Sequence, residues 1–526
     1  MMTSSAFDIL GPIMVGPSSS HTAGALRIAS VARSFCSGLP DRVTFTLYNS
    51  FARTYRGHGT DRALVGGMIG LTTDDERVRD AFELAREVGL DWSFELGEDG
   101  VADHPNTVDI LMETGGRTVK LRGESLGGAR VRLSRVNDVP LTLTGDYPTL
   151  FVAHLDRPGV LASLTAMVSA AGANIATMST FRRAKGGNAY SVFEIDGEIP
   201  GWLAESLGHA TNVEYVTVVQ IPGAAIAADN VELSAPFSSG AELLATCERQ
   251  GCGIAGVMLG REEELRPGED VDGLMGLVGD AMRHEVTATI ERPERSLGGL
   301  LDGQARAVAT YDADMAGRLL GTTLTTATAY AMAVLERSAN MGVIVAAPTA
   351  GSAGVVPGTL VAVADALGLD DACLVKGLWT AAAVGALVAE NASVAGAEGG
   401  CQAEVGTAAA MAAAGIVEML GGSPKTCLDA ASTTLANMLG LVCDPVRGLV
   451  EYPCQIRNAS GVANALVGAQ LALSGVESPL PFDEVVDAMR RVGESLPSTL
   501  RETALGGLAT APSASAACAG CGGCAQ

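Results

Sequence analysis

The chain of 526 residues carries eleven cysteines, six histidines and only four lysines (Lys120, Lys185, Lys376 and Lys425), so any thiol, imidazole or amine chemistry has few candidates. Cys36 stands alone early and the other ten cysteines follow residue 246. An odd count in a long chain with no secretory leader suits metal-binding, catalytic or inert thiols better than a disulfide framework. Cys401, Cys443 and Cys454 lie in turn-rich, polar contexts, E-G-G-C-Q, V-C-D-P and E-Y-P-C-Q. Three thiolates with no fourth nearby suit an iron–sulfur cluster with one iron left open; three unrelated loop thiols are the alternative. The C-terminal run Cys518-Ala-Gly-Cys521-Gly-Gly-Cys524 sits in a Gly/Ala/Ser-rich tail from about Gly506, which is expected to be flexible. It suits an exposed zinc site, surplus thiols, or a mobile cap for an open iron. Cys247 and Cys252 begin like a plant-type ferredoxin pattern, but its next cysteine is missing. With Cys36, Cys373 and Cys427 they read as ordinary packed thiols.

Three of the histidines fall in polar segments near the N-terminus: Ser18-Ser19-Ser20-His21-Thr22, Arg56-Gly57-His58-Gly59-Thr60-Asp61 and His104-Pro105-Asn106-Thr107. Short hydroxyls and backbone amides where a helix opens at Ala23 can hold a carboxylate; helix capping by Ser and Thr alone would also explain residues 18–22. The loop Ala347-Pro348-Thr349-Ala350-Gly351-Ser352-Ala353-Gly354 can present backbone amides to an anion, but it lacks the lysine of a phosphate-binding loop. An ordinary inter-helix connection is the alternative.

The elements that must position these residues follow from composition and period. Hydrophobic residues make up 48% of the chain and aromatics 4%, with 65 glycines, so the core is built from small, close-packed side chains. A net charge of −24 argues against a nucleic-acid or anionic-membrane partner. The longest uncharged stretch, Ser338 to Ala364, is broken by Gly and Pro and reads as buried helix, loop, helix. A multidomain chain is expected. Residues 1–147 are α/β, with strands at Val43–Tyr48 and Val108–Glu113 and a helix over Asp74–Val88. Residues 148–221 follow a β-α-β-β-α-β order, the ferredoxin-like α+β arrangement: strands at Leu150–Leu155, Asn174–Phe181, Ala189–Ile195 and Val213–Gln220, with helices ending at Ala171 and near Gly201–Gly208. Pro222–Asn230 is a small-residue linker, and residues 231–526 are mostly α-helical with almost no strand signal.

Together these motifs resemble the iron–sulfur L-serine dehydratases over nearly the whole chain. F-D-I-L-G-P, S-S-S-H-T, G-H-G-T-D and H-P-N-T resemble the family's β-type domain. L-D-R-P-G-V-L and G-A-N-I resemble an ACT domain. A-P-T-A-G-S-A-G, G-C-Q-A-E-V-G, C-D-P-V-x-G-L-V-E-x-P-C and E-T-A-L-G-G-L-A resemble the helical α-type domain. The resemblance implies L-serine ammonia-lyase activity, yielding pyruvate and ammonia, and a 4Fe-4S cluster held by Cys401, Cys443 and Cys454. A cysteine near the C-terminus occupies the fourth position in relatives; Cys524 is chosen here, although Cys518 and Cys521 compete. It implies His58 as base or proton relay beside Thr60, with His21 and His104 as rivals, and substrate binding by Ser18, Ser19, Ser20, His21, Thr22, His104 and Asn106. Asp156 and Asn174 match positions where ACT domains bind amino acids, with L-serine the expected ligand. A cytoplasmic homodimer free of membrane and nucleic acid is expected.

Three other functions fit parts of the pattern. A pyridoxal-phosphate dehydratase needs a Schiff-base lysine, and Ser423-Pro424-Lys425 resembles such a motif only until Thr426-Cys427. A cysteine desulfidase would share the α-domain chemistry. An amino-acid or redox sensor would use the ACT segment and the tail thiols without turnover.

Overall fold

A computed structural model of the chain describes residues 5–36, 38–98, 100–127, 130–137, 139–144, 147–219, 233–311 and 319–516. The expected linker at 222–230 and the tail cysteines Cys518, Cys521 and Cys524 lie outside the described residues. The chain divides into two compact units, Met1–Ser19 with Asp229–Gln526, and Ser20–Ala228. This division differs from the three segments expected at 1–147, 148–221 and 231–526, because the first nineteen residues belong with the helices.

The helical unit explains why. Ser5 Oγ and the amide of Ala6 donate to the buried carboxylate of Glu262 at 2.5 and 2.8 Å. Phe7 meets Trp379 edge-on with ring centroids 6.1 Å apart. Strand Ile13–Val15 then pairs antiparallel with Val343–Val345, Ile13 opposite Val345. That second strand was not expected after residue 231; at three residues it is too short to show an alternating pattern.

Around this seam pack helices whose faces are apolar on every side. Thr407–Met419 (T-A-A-A-M-A-A-A-G-I-V-E-M) is buried at all but one position. Alanine favours the helix and its small side chain lets axes approach closely. Two stretches, Ala350–Leu367 and Asp371–Asn391, are long and apolar enough to cross a membrane, yet their most apolar windows are 78% and 72% buried inside the fold. Innermost helices of a large helical core have that character. Where Asp371–Asn391 crosses Thr407–Met419, glycines face each other: a Cβ on Gly415 would stand 2.9 Å from the Gly377 carbonyl.

The second unit holds two sheets. Six strands run in the order Asp91–Leu96, Arg42–Tyr48, Asn106–Thr114, Arg117–Gly127, Arg130–Val136, Val139–Leu143. The first pair is parallel and the rest antiparallel. The helix expected over Asp74–Val88 is two pieces, a 3₁₀ turn Glu76–Asp80 capped by Asp75 and an α-helix Ala81–Glu87. Asp80, at φ −107° and ψ 18°, breaks the spiral between them. The helix expected from Ala23 opens instead as a π-turn, Ser19–Gly24, before Ala25–Arg33.

The four-stranded antiparallel sheet runs Val213–Val219, Thr149–Leu155, Asn188–Asp196, Asn174–Arg182. Helices Val160–Ala170 and Gly201–Gly208 bury Leu164, Val168, Leu203 and Leu207 against Leu150, Val152 and Phe193. The β-α-β-β-α-β order read from the sequence is present, with boundaries moved by a few residues at most.

The glycine crossing gives a direct test. Gly415→Ala pushes a methyl into backbone and should destabilise by about 1–3 kcal/mol, read as a lower urea midpoint. Gly276→Ala, in a helix with open space at its Cβ, should be neutral or stabilising by up to about 1 kcal/mol. Equal effects would contradict the packing account.

Candidate functional site

The chemistry-bearing residues form two groups, one in each unit. In the helical unit, Cys401 follows Gly400, at φ 76°, and enters the π-turn Gln402–Gly406. Cys443 sits in a loop clamped by backbone, its N–H donating to Leu500 O and its carbonyl accepting from the Glu502 N–H, both at 2.9 Å. Cys454 is the first residue of helix Cys454–Leu473. All three are buried. The ligand atoms of Cys401, Glu404 and Cys443 lie within 4.8 Å of one another. Cys454 is close enough to feel the charges of Cys401 and Glu404.

The surroundings set the charge of this group. A hydrogen bond with Cys401 and then burial push the Cys443 thiol well above its ordinary value; burial and then Cys401 do the same to Cys454. Arg457 Nη1 lies 3.5 Å from Cys401 Sγ and 2.8 Å from Val442 O, while Nη2 pairs with the buried Asp444 at 2.7 Å. Asp444 in turn accepts from the Leu508 amide at 2.6 Å. Glu404 accepts from the Thr349 hydroxyl at 2.7 Å, and burial pushes its carboxyl up to about 7. Glu502 is pushed up to about 8 by burial and the Glu404 charge. A Cβ on Gly396 would reach 2.4 Å from Glu404 and 3.3 Å from Cys443 Sγ, so only a glycine lets these two side chains pack here. Two soft donors whose ligand atoms gather with Glu404, a third buried thiol within electrostatic reach and an arginine on one sulfur fit an iron–sulfur cluster held by three cysteines.

The loop 347–354 is a wall of this group. Asn458 takes the Gly354 amide at 3.1 Å and donates to Gly351 O and Cys454 O at 2.9 Å. The amides of Ala347, Ser352 and Ala353 have partners within the loop. The loop therefore joins a strand to a helix, and the residue it offers is Thr349. Sequence reading did not single out Glu404, Arg457, Asp444, Thr349 or Glu502 as site residues. The available signal was spacing, since Glu404 and Arg457 each follow a candidate cysteine, Cys401 and Cys454, by three residues.

In the other unit, which begins at Ser20, the three histidine-bearing stretches meet. His21 and His58 stack with ring centroids 4.5 Å apart, and His21 touches Phe51 edge-on at 5.3 Å. The Thr22 hydroxyl donates to His58 O at 2.7 Å. His21 Nδ1 and Nε2 lie 2.9 Å from the hydroxyls of Ser20 and Ser50. Ser50, which sequence reading passed over, also donates its N–H to Pro105 O at 2.9 Å, and Asn49 donates to His104 O at 3.1 Å. His104 Nδ1 accepts from the Asn106 N–H at 3.2 Å. Both ring nitrogens of His58, the Thr60 hydroxyl and Asn106 Oδ1 are buried without a hydrogen-bond partner among the described residues. Buried polar groups are seldom left so, and each such atom is a place where a polar ligand can bond. Burial lowers His58 to about 4, and burial and then the His58 charge hold His21 well below the ordinary imidazole value, so both rings are neutral at pH 7. Ser18 is buried, and Ser19 and Ser20 are half-buried.

Asp156 and Asn174 lie in the four-stranded unit. Asp156 accepts from Arg182 at 2.6 Å and the Gly186 amide at 2.9 Å, and Asn174 donates to Asp196 at 2.5 Å. Lys425 is exposed and paired with Asp429 at 2.7 Å and Glu477 at 3.2 Å, which raises its pKa. A Schiff-base lysine needs the opposite shift.

Residues 249–509 match the family model for the serine dehydratase alpha chain and residues 5–118 that for the beta chain. The L-serine dehydratase of Streptomyces coelicolor is 31% identical over 97% of this chain and 99% of its own length. The alpha chain of the L-serine dehydratase of Peptoniphilus asaccharolyticus is 46% identical over 51% of this chain and 92% of its own. The beta chain of that dehydratase is 38% identical over 41% and 98%. The chain belongs to the serine dehydratase family, with the beta-type and alpha-type parts joined in one polypeptide.

Proposed function

We propose that this chain is an L-serine ammonia-lyase whose catalyst is a 4Fe-4S cluster held by Cys401, Cys443 and Cys454. The observation that carries the reading is the gathering of the buried thiols Cys401 and Cys443 beside Glu404, with buried Cys454 within electrostatic reach of them, in a member of this family. The net reaction removes the α-proton and the β-hydroxyl of serine as water; aminoacrylate tautomerises to an imine, which hydrolyses to pyruvate and ammonia. Hydroxide is a poor leaving group, and a bound cluster with one iron free of cysteine would supply the Lewis acid that lowers that barrier.

The chain's own residues do the rest. Ser18, Ser19, Ser20, His21 and Thr22 bind the substrate carboxylate, with His104 and Asn106 as further substrate contacts. His58, neutral and with both ring nitrogens unpartnered, takes the α-proton as general base or proton relay, with Thr60 beside it in the chain. Cys524 of the tail is the residue that would hold the fourth iron of a bound cluster. The β-α-β-β-α-β unit is an ACT-type sensor of L-serine acting through Asp156 and Asn174; Asn174→Ala should change the serine saturation curve, and an unchanged curve would argue for a purely structural unit. The unpartnered polar atoms at His58, Thr60 and Asn106 favour an enzyme over a sensor.

Two experiments test the reading. Cys401→Ser, Cys443→Ser and Cys454→Ser, purified without oxygen, should each lose most iron and sulfide and fall roughly 100-fold or more in turnover, while Cys36→Ser keeps both. Wild-type iron content in any of the three would remove that residue from the ligand set. Second, burial predicts that the His58 ring stays neutral as pH falls to about 5 and protonates near about 4. In the metal-free protein its imidazole ¹⁵N shifts should follow that course; a midpoint near the unperturbed value of about 6.5 would contradict it.

A further inference from the structure

A second gathering of thiols lies in the helical unit, in residues that the proposed reaction does not use. Helix Gly240–Gln250 ends at Gly251, at φ 66°, whose N–H donates to Cys247 O at 2.8 Å; the Cys252 N–H donates to the same carbonyl at 3.2 Å. This six-to-one closure is the Schellman turn, whose end residues, here Cys247 and Cys252, are often neighbours; Cys247 feels the Cys252 charge, and Cys252 Sγ donates to Gln250 Oε1 at 3.6 Å. The next helix, Ile254–Leu265, begins at Gly253 without a side-chain cap of its own. Glu418, from the end of helix Thr407–Met419, fills that place: it accepts from the Ile254 amide, and a Cβ on Gly253 would come within 2.3 Å of its Oε1. The third thiol, Cys427 in helix Pro424–Ala436, donates to Glu418 Oε2 at 3.7 Å.

Four chain segments thus bring three thiols around one carboxylate. Each thiol lies within electrostatic reach of Glu418, and Cys247 within reach of both other sulfurs. Cys247 and Cys427 are buried, and Cys252 is half-buried, which leaves a way in from solvent.

We propose that Cys247, Cys252, Cys427 and Glu418 form a second metal site, for one divalent thiophilic cation of the zinc class. Three sulfurs and one carboxylate oxygen make a four-coordinate donor set of the kind zinc accepts. Binding releases the three thiol protons to water and leaves three thiolates and the carboxylate on the cation, with no change of oxidation state. The local charge favours this over redox chemistry. Burial and the negative neighbours push Cys247 up to about 11 and raise the other two. The field that suppresses free thiolates, and so slows their oxidation, is the field that attracts a cation. The four donors are spread here: among the described residues only Cys401, Glu404 and Cys443 form a set of three ligand atoms within 4.8 Å of one another. A cation must therefore draw these four side chains inward.

The test uses the full chain with its iron, loaded with zinc, dialysed against metal-free buffer and analysed for both metals by mass spectrometry. The wild type should hold about one zinc per chain beyond its iron. Cys252→Ser, at a half-buried position, should lower retained zinc roughly tenfold or more with iron and pyruvate formation unchanged; Cys427→Ser should do the same. Cys401→Ser should lose iron and keep zinc, which separates this site from the proposed catalytic centre. Three results would overturn the proposal: no zinc in the wild type, undiminished zinc in Cys252→Ser and Cys427→Ser, or zinc lost with iron in Cys401→Ser. A Cys247–Cys252 disulfide in protein isolated without oxidant would overturn it as well.

Discussion

Buried sulfur charge is the constraint on which the helical unit depends. Thiols gathered as closely as Cys401 and Cys443 have two stable forms, protonated or facing a cation as thiolates. At an effective dielectric of about 20, two unit charges ~4 Å apart repel by about 4 kcal/mol. A single arginine against Cys401, itself tied to Asp444, cannot offset three thiolates. The backbone clamps around Cys443, the helix start at Cys454 and the glycine at 396 hold the sulfurs together regardless. They maintain a convergence that is unfavourable for anions alone and favourable around a metal.

Burial acts with the opposite consequence in the other unit. For a thiol it removes the reactive anion; for an imidazole it removes the inert cation. His58 and His21 stacked together out of water are both neutral, the form that can accept a proton. One physical effect, desolvation, thus keeps imidazoles neutral in one unit and thiols protonated in the other.

How much of this was legible in the sequence depends on whether the signal is local. Turn residues beside Cys401, Cys443 and Cys454 mark them as loop thiols, and alternation and helical spacing give the four-stranded unit nearly to the residue. What the sequence hides is set by tertiary contact. The strand Val343–Val345 exists because Ile13–Val15 lies beside it. Ser50 matters because it touches both His21 and Pro105. Glu404 and Arg457 look like ordinary helix charges until the fold brings Thr349 and Cys401 against them. Cys247, Cys252 and Cys427 read as separate packed thiols because the carboxylate that gathers them, Glu418, is remote from the first two in sequence.

The central claim is that chemistry on serine depends on an oxygen-sensitive centre at the three gathered thiols. The most direct measurement is pyruvate formation from L-serine by protein purified without oxygen, repeated after brief exposure to air. Activity that air abolishes, together with loss of the cluster's absorbance, is the result this account predicts. Activity that survives air with the cluster gone would contradict it and require a different catalyst.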